Sequence, residues 1–129
     1  MAAESGWQER IGNPVSSEEA WKVLDDWKVR RQEIGMLYCR RSGTAVISAM
    51  CRVQRLRNGS LQMSGDGTAA LLSLRMAAFS YGPMKVWPNW PSGPIVEVLA
   101  LQACLPEGDW LMLAEGYLPK ELAPLALPA

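Results

Sequence analysis

The spacing of apolar residues predicts one helix near the start of the chain. These residues recur at steps of three and four positions, at Ala20, Val23, Leu24 and Trp27. Ser16 and Glu19 have the spacing of a capping box, so we expect the helix to begin directly after Ser16. Gly35 is expected to end it. Because the apolar face is wide and carries a tryptophan, we expect it to pack on a sheet.

Alternating apolar and polar residues then predict an antiparallel meander of three strands between positions 44 and 80. Small apolar residues define the inward face of its first strand, at Ala45, Ile47, Ala49, Cys51 and Val53. Asn58-Gly59 and Asp66-Gly67 are dipeptides that favour tight hairpins, so we place the two turns there.

The register at Asn58-Gly59 has two alternatives. A two-residue loop pairs Leu56 with Leu61, whereas a three-residue loop with a bulge at Gly59 pairs Val53 with Met63. We favour the second loop, because it keeps the apolar face continuous.

At Asp66-Gly67 a two-residue loop pairs Met63 with Ala70 and Leu61 with Leu72. The inward set of the third strand then continues at Leu74, Met76 and Ala78.

The remaining pattern predicts a short strand at 36–41, a long loop at 82–94 with four prolines, and two final strands. The final strands are 95–105 and 110–117, and a four-residue turn between them pairs Leu105 with Trp110, Ala103 with Met112 and Leu101 with Ala114.

Together these elements predict an α+β fold that is mainly β. One N-terminal helix packs on a strongly curved antiparallel sheet or small barrel of about six strands; an open α+β sheet is the alternative architecture. We expect residues 15–117 to form a single barrel-like domain between a flexible N-terminal arm, 1–14, and an irregular proline-rich tail, 118–129.

Composition narrows the possible functions. The chain has 129 residues, 13 basic and 13 acidic side chains and no histidine. Catalytic sites and metal sites that depend on histidine are therefore excluded, and the balanced charge gives no general attraction to nucleic acid or membrane. The three cysteines are widely spaced, and no apolar segment has the length of a membrane span. We expect a cytoplasmic protein without a cofactor or enzymatic activity.

One face of the meander is polar, and its side chains suit an anionic ligand: Arg52, Arg57, Ser64 and Arg75. The run Ser64-Gly65-Asp66-Gly67 resembles the SxxG part of the motif of PilZ domains, small β-barrels that bind a cyclic dinucleotide. The resemblance covers four residues. Position 62 is Gln where the family has Asp or Asn, and no two arginines have the RxxxR spacing. It implies a nucleotide ligand.

The proline-rich loop is the other candidate site. Trp87, Asn89 and Trp90 lie on a stiff segment that suits a protein interface, although both rings could instead cover an incomplete barrel. Glu97 interrupts an apolar strand. A buried carboxylate at this position would indicate a functional role, whereas an edge position that faces water would explain the residue without one. We therefore expect a non-enzymatic binding or protein-interaction module that forms a homodimer or binds another protein. The alternative is a PilZ-like or other nucleotide- or nucleic-acid-binding barrel that uses the arginine-lined face.

Overall fold

The computed structural model describes residues 13–42, 44–65, 67–86 and 92–116. This part of the chain contains one helix and eight strands: β1 (Asn13–Val15), α1 (Ser17–Arg30), β2 (Ile34–Cys39), β3 (Ala45–Arg57), β4 (Ser60–Gly65), β5 (Thr68–Ser73), β6 (Ala78–Val86), β7 (Val96–Cys104) and β8 (Trp110–Ala114). The strands form one antiparallel sheet in the order β1-β6-β7-β8-β2-β3-β4-β5.

The sheet is open, with β1 and β5 at its two edges, so the prediction of a small barrel or six-stranded sheet is wrong. The broader α+β class holds. The strand count rises to eight because β1 pairs with β6 and because the third strand of the predicted meander divides into β5 and β6. Residues 1–12 of the predicted arm and the predicted tail lie outside the described residues.

The start of α1 is the predicted capping box. The backbone N–H of Glu19 donates to Ser16 Oγ at 3.1 Å, and the backbone N–H of Ser16 donates to Glu19 Oε1 at 3.2 Å. The helix ends at Arg30 rather than near Gly35, which lies in β2. Arg31 provides the left-handed residue that glycine usually supplies, with φ 54°.

The hairpin between β3 and β4 combines the two alternatives. Asn58 and Gly59 have φ values of 52° and 78°, as a two-residue type I′ turn requires. Leu56 therefore pairs with Leu61, but Val53 also pairs with Met63, because the register shifts between Val53 and Arg55. The predicted Val53–Met63 pair is confirmed, and the predicted three-residue loop with a bulge at Gly59 is wrong. The extra residue is Gln54.

The hairpin between β4 and β5 has the predicted register, with Met63 opposite Ala70 and Leu61 opposite Leu72. The continuation is different. Leu74 is buried as expected, but Met76 has φ 63° and is 88% exposed in the turn that leads to β6. After this turn Phe79, and not Ala78, faces the core.

β6 extends into the predicted loop as far as Val86, and it includes Pro83. β1 pairs with β6 only at Phe79, Ser80 and Tyr81, so Pro83 has a described neighbour on one side alone, opposite Leu99. Proline is tolerated at such an edge position because no ladder hydrogen bond is required there.

The pairing of β7 with β8 differs from the prediction by one residue. Cys104, not Leu105, lies opposite Trp110, and Leu101 lies opposite Leu113. Leu105 belongs to a longer turn, where its N–H donates to the carbonyl oxygen of Asp109 at 2.8 Å. A slip of one residue reverses the facing of the strand, so Trp110 lies on the face of the sheet away from the helix.

Both faces of the central strands are buried. On the helix side, side chains of α1 pack with residues of six strands in one core: Ala20, Leu24, Trp27, Met36, Val53, Met63, Phe79, Leu101 and Leu113. The opposite face, here called the outer face, carries a second cluster in which each of these side chains is at most 2% exposed: Leu37, Cys39, Ala100, Trp110, Met112 and Ala114. Burial raises the pKa of the Cys39 thiol to about 12.

A polar contact ties the end of α1 to the end of β8. The indole N–H of Trp27 donates to Glu115 Oε2 at 2.7 Å, and an Arg30 N–H donates to the same oxygen at 3.4 Å. Burial raises the pKa of the nearby Tyr81 hydroxyl, and the negative charges of Glu115 and Asp26 raise it further. Across the described residues, we find no helix that has both the length and the apolar character needed to cross a membrane.

Candidate anion-binding cleft

The β3–β4–β5 hairpins place polar side chains in rows on their solvent side. Cross-strand pairing puts Arg57 opposite Ser60 and Arg55 opposite Gln62. Gln62 in turn lies opposite Leu71 of β5. Side chains directly opposite each other on antiparallel strands lie about 5 Å apart at Cβ. The two rows thus bring Arg55 and Arg57 together, two positions apart on the same strand.

The rows enclose an open cleft of about 330 Å³, here called the arginine cleft. Its lining combines two cations, three neutral polar side chains and one apolar side chain: Arg55, Arg57, Asn58, Ser60, Gln62 and Leu71. Guanidinium groups offer paired N–H donors that match carboxylate or phosphate oxygens, and the amide and hydroxyl groups can complete the hydrogen bonding. The cleft is therefore chemically suited to an anionic group.

The other predicted arginines are engaged within the fold. Arg52 donates from Nε to the carbonyl oxygen of Arg31 at 3.2 Å, and its NH2 lies 3.9 Å from a carboxylate oxygen of Glu33. It thereby satisfies a backbone acceptor at the end of α1. Arg75 donates from Nε to the carbonyl oxygen of Asn58 at 3.2 Å.

Arg75 also packs over the β3–β4 turn. A Cβ placed on Gly59 would lie 2.8 Å from its Cγ, so this turn needs glycine both for its positive φ and for space. Arg75 consequently braces the tip of the hairpin.

Arg55 and Arg57 differ from these two arginines. Among the described residues, neither forms a hydrogen bond or an ion pair, and both side chains are exposed. Their charges are consequently available to a ligand.

Ser64 lies one row away from the arginine cleft, opposite Arg52, and does not line it. Gly65 follows it for a packing reason, because an added Cβ would lie 2.7 Å from Cys51 Cα and from the carbonyl oxygen of Met50. Gly65 occupies an intervening position of the SxxG run and is explained by its close approach to β3. The glycine of the motif, Gly67, has φ 72° with open space around it, so the turn requires it for its positive φ.

The remaining candidates carry no site within the described residues. Glu97 is exposed opposite Lys85, in keeping with its edge alternative. Trp87, Asn89 and Trp90 lie outside the described residues. Within the described ranges, no three acidic or cysteine side chains are grouped as a metal site would require.

Sequence reasoning left Arg55 and Gln62 out of the candidate site. The signal that could have found them lies in the two hairpin registers: both the Leu56–Leu61 and the Val53–Met63 pair are apolar, and one bulged residue between them satisfies both. That bulge places Arg55 and Arg57 together on the solvent side.

Comparison of the chain with models of protein families, with curated protein sequences and with solved structures gave no match.

Proposed function

We propose that this chain is a non-enzymatic protein-interaction module that holds an acidic side chain of its partner in the arginine cleft. The observation that carries the proposal is the pair Arg55 and Arg57, exposed side by side with no ion pair among the described residues. A carboxylate bound there gains charge-assisted hydrogen bonds without having to displace an intramolecular partner.

A protein carboxylate suits the lining better than a nucleotide does. Proteins that bind unstacked bases generally place aromatic rings under them, and none of the described residues that line the arginine cleft is aromatic. Its apolar member is Leu71, which is 73% exposed and offers a contact for an aliphatic side chain of a peptide. The proposal retains the expected cytoplasmic location, where thiols such as those of Cys39 and Cys104 stay reduced.

The test is an NMR titration of the ¹⁵N-labelled protein with a hexaglutamate peptide. We expect shift changes centred on Arg55, Arg57 and Gln62, and a loss of affinity of about tenfold or more in the double variant Arg55→Ala/Arg57→Ala, because each charge-assisted hydrogen bond contributes about 1.5–3 kcal/mol.

The matched control is Arg40→Ala/Arg41→Ala, which makes the same change in net charge at the opposite end of β3. It should bind like the original protein. No shift at millimolar peptide, or an equal loss in both double variants, contradicts the proposal. Saturable binding of a cyclic dinucleotide at the cleft, with no binding of hexaglutamate, would favour the nucleotide alternative instead.

A further inference from the structure

We infer that the open edge of β5 accepts an extended segment of the partner as an additional antiparallel or parallel strand. The inference rests on the proposed function, since it is the acidic residue of that segment that reaches the arginine cleft. Strand addition of this kind supplies affinity through main-chain hydrogen bonds and specificity through alternate side chains.

The two edges of the sheet are built differently. β1 has only three residues and contains Pro14, features that blunt an edge. β5 has six residues, Thr68–Ser73, with no charged residue and no proline. No other strand of the described chain pairs with the edge of β5 that faces away from β4. Proteins usually protect an edge of this kind, so an unprotected one indicates a use.

The turn between β4 and β5 fixes which backbone groups are open. Gly65 and Thr68 close a two-residue turn and so form a hydrogen-bonded pair, after which hydrogen-bonded and non-hydrogen-bonded pairs alternate. The N–H of Leu74 donates to the carbonyl oxygen of Gly59 at 2.8 Å, as this alternation requires.

It follows that alternate residues of β5 have different partners. Ala70 and Leu72 exchange hydrogen bonds with β4. Ala69, Leu71 and Ser73 direct their N–H and carbonyl groups toward the open edge.

Charge identifies the kind of segment that fits. In the sequence from position 45 to 77 there are four arginines and one acidic residue, Asp66. A strand added beside β5 continues the row Arg55–Gln62–Leu71, so an acidic side chain of that strand lies beside Leu71 at the rim of the arginine cleft. Its backbone is three strand spacings, about 14 Å, from that of Arg55, and the two arginine charges attract it across the cleft. A second copy of this chain, paired through β5, would bring no acidic side chain to this row, because β5 contains none. An acidic extended peptide is therefore the occupant.

The test uses a blocked heptapeptide of alternating valine and glutamate, with amide hydrogen exchange measured residue by residue. We expect exchange to slow at Ala69, Leu71 and Ser73 when the peptide is added, and to change little at Ala70 and Leu72, whose amides are already bonded to β4. This alternation is not produced by a ligand that contacts side chains alone.

Leu71→Pro removes an N–H that points to the open edge and no hydrogen bond to β4, so the fold should tolerate it. We expect it to weaken peptide binding tenfold or more. The control Leu71→Ala loses the same aliphatic contact but keeps the N–H, so it should bind the peptide clearly more tightly than Leu71→Pro. If Leu71→Pro does not fold, the exchange pattern of the unsubstituted protein remains a decisive measurement.

The outcomes separate the two proposals. Peptide-induced shifts at Arg55 and Arg57 with unchanged exchange at Ala69, Leu71 and Ser73 overturn strand addition and leave the arginine cleft standing. Slowed exchange that persists, at the same affinity, in Arg55→Ala/Arg57→Ala overturns the role of the arginines. Slowed exchange of the same amides on self-association without peptide shows that the occupant is a second copy, which also overturns the inference.

Discussion

Gln102 provides the sharpest test of the packing on the outer face. It is the buried polar residue of this face, with a side chain 0% exposed between Ser80 of β6 and Met112 of β8. Its Nε2 donates to Cys104 Sγ at 3.6 Å, and its Oε1 accepts no hydrogen bond from any described residue. Replacement by methionine keeps the length of the side chain and removes both polar groups.

The expected effect of Gln102→Met follows from these contacts. A buried acceptor without a partner costs about 1–3 kcal/mol, and the N–H···S bond that is also lost is weak. We therefore expect the free energy of unfolding to rise by about 1–2 kcal/mol. In a domain of this size the melting temperature should rise by roughly 4–8 °C.

Urea unfolding followed by tryptophan fluorescence measures the change, and an unchanged m-value shows that the same surface is buried. The control is Gln54→Met at the exposed bulge of β3, where a change within about 0.5 kcal/mol is expected. A loss of more than 1 kcal/mol in Gln102→Met would refute the reasoning, because it would mean that Oε1 has a partner in solution.

Three further predictions concern the helix and the outer face. Ser16→Ala should lower the free energy of unfolding by about 1 kcal/mol in urea, whereas Ser17→Ala should not, because only Ser16 caps the helix. Trp27→Phe should lower the free energy of unfolding by about 2 kcal/mol or more, since the substitution removes the N–H donated to Glu115. A smaller loss, measured by thermal unfolding, would contradict a stabilising role of this hydrogen bond. Burial raises the pKa of the Cys39 thiol from 9.0 to about 12. The stability that the neutral thiol contributes is therefore complete below pH 9 and is lost as the pH rises toward 12. Relative to Cys39→Ala, the stability of the original protein should fall by up to about 1.4 kcal/mol per pH unit across that range, and parallel pH profiles would rule this out.

Local signals in the sequence predicted local structure well. The capping box of α1 and the β4–β5 register each depend on residues within about ten positions of one another, and both are confirmed. In these places side-chain chemistry and turn preference select the same conformation.

The register of β8 could not be obtained in the same way. All five of its residues, Trp110–Ala114, are buried, because both faces of the sheet are covered there. A strand buried on both sides is apolar throughout, so its pattern does not distinguish one register from the next. The turn length was then the remaining guide, and the turn is one residue longer than expected.

The division of the third predicted strand into β5 and β6 could not be predicted from the sequence for a different reason. Apolar alternation runs past Ser73 without a glycine or proline, and the chain turns at Arg75-Met76 with Met76 in the left-handed region. β6 then pairs with β1 and β7 at the far side of the sheet, a long-range choice that no local pattern encodes. The prediction of the candidate site missed Arg55 because the bulge at Gln54 changes which residues of β3 face solvent.

Gln54 also sets how the chain can vary in length. Without this residue, Val53, Arg55, Leu56 and Arg57 would alternate regularly, so its deletion would preserve the pairs opposite Met63, Gln62 and Leu61. What would change is the direction of the hairpin, since a bulge bends and twists its strand. A deletion within β4 would instead exchange core and solvent side chains. Evolution and engineering can therefore adjust the angle of the hairpin at position 54 while the identity of its two faces stays constant.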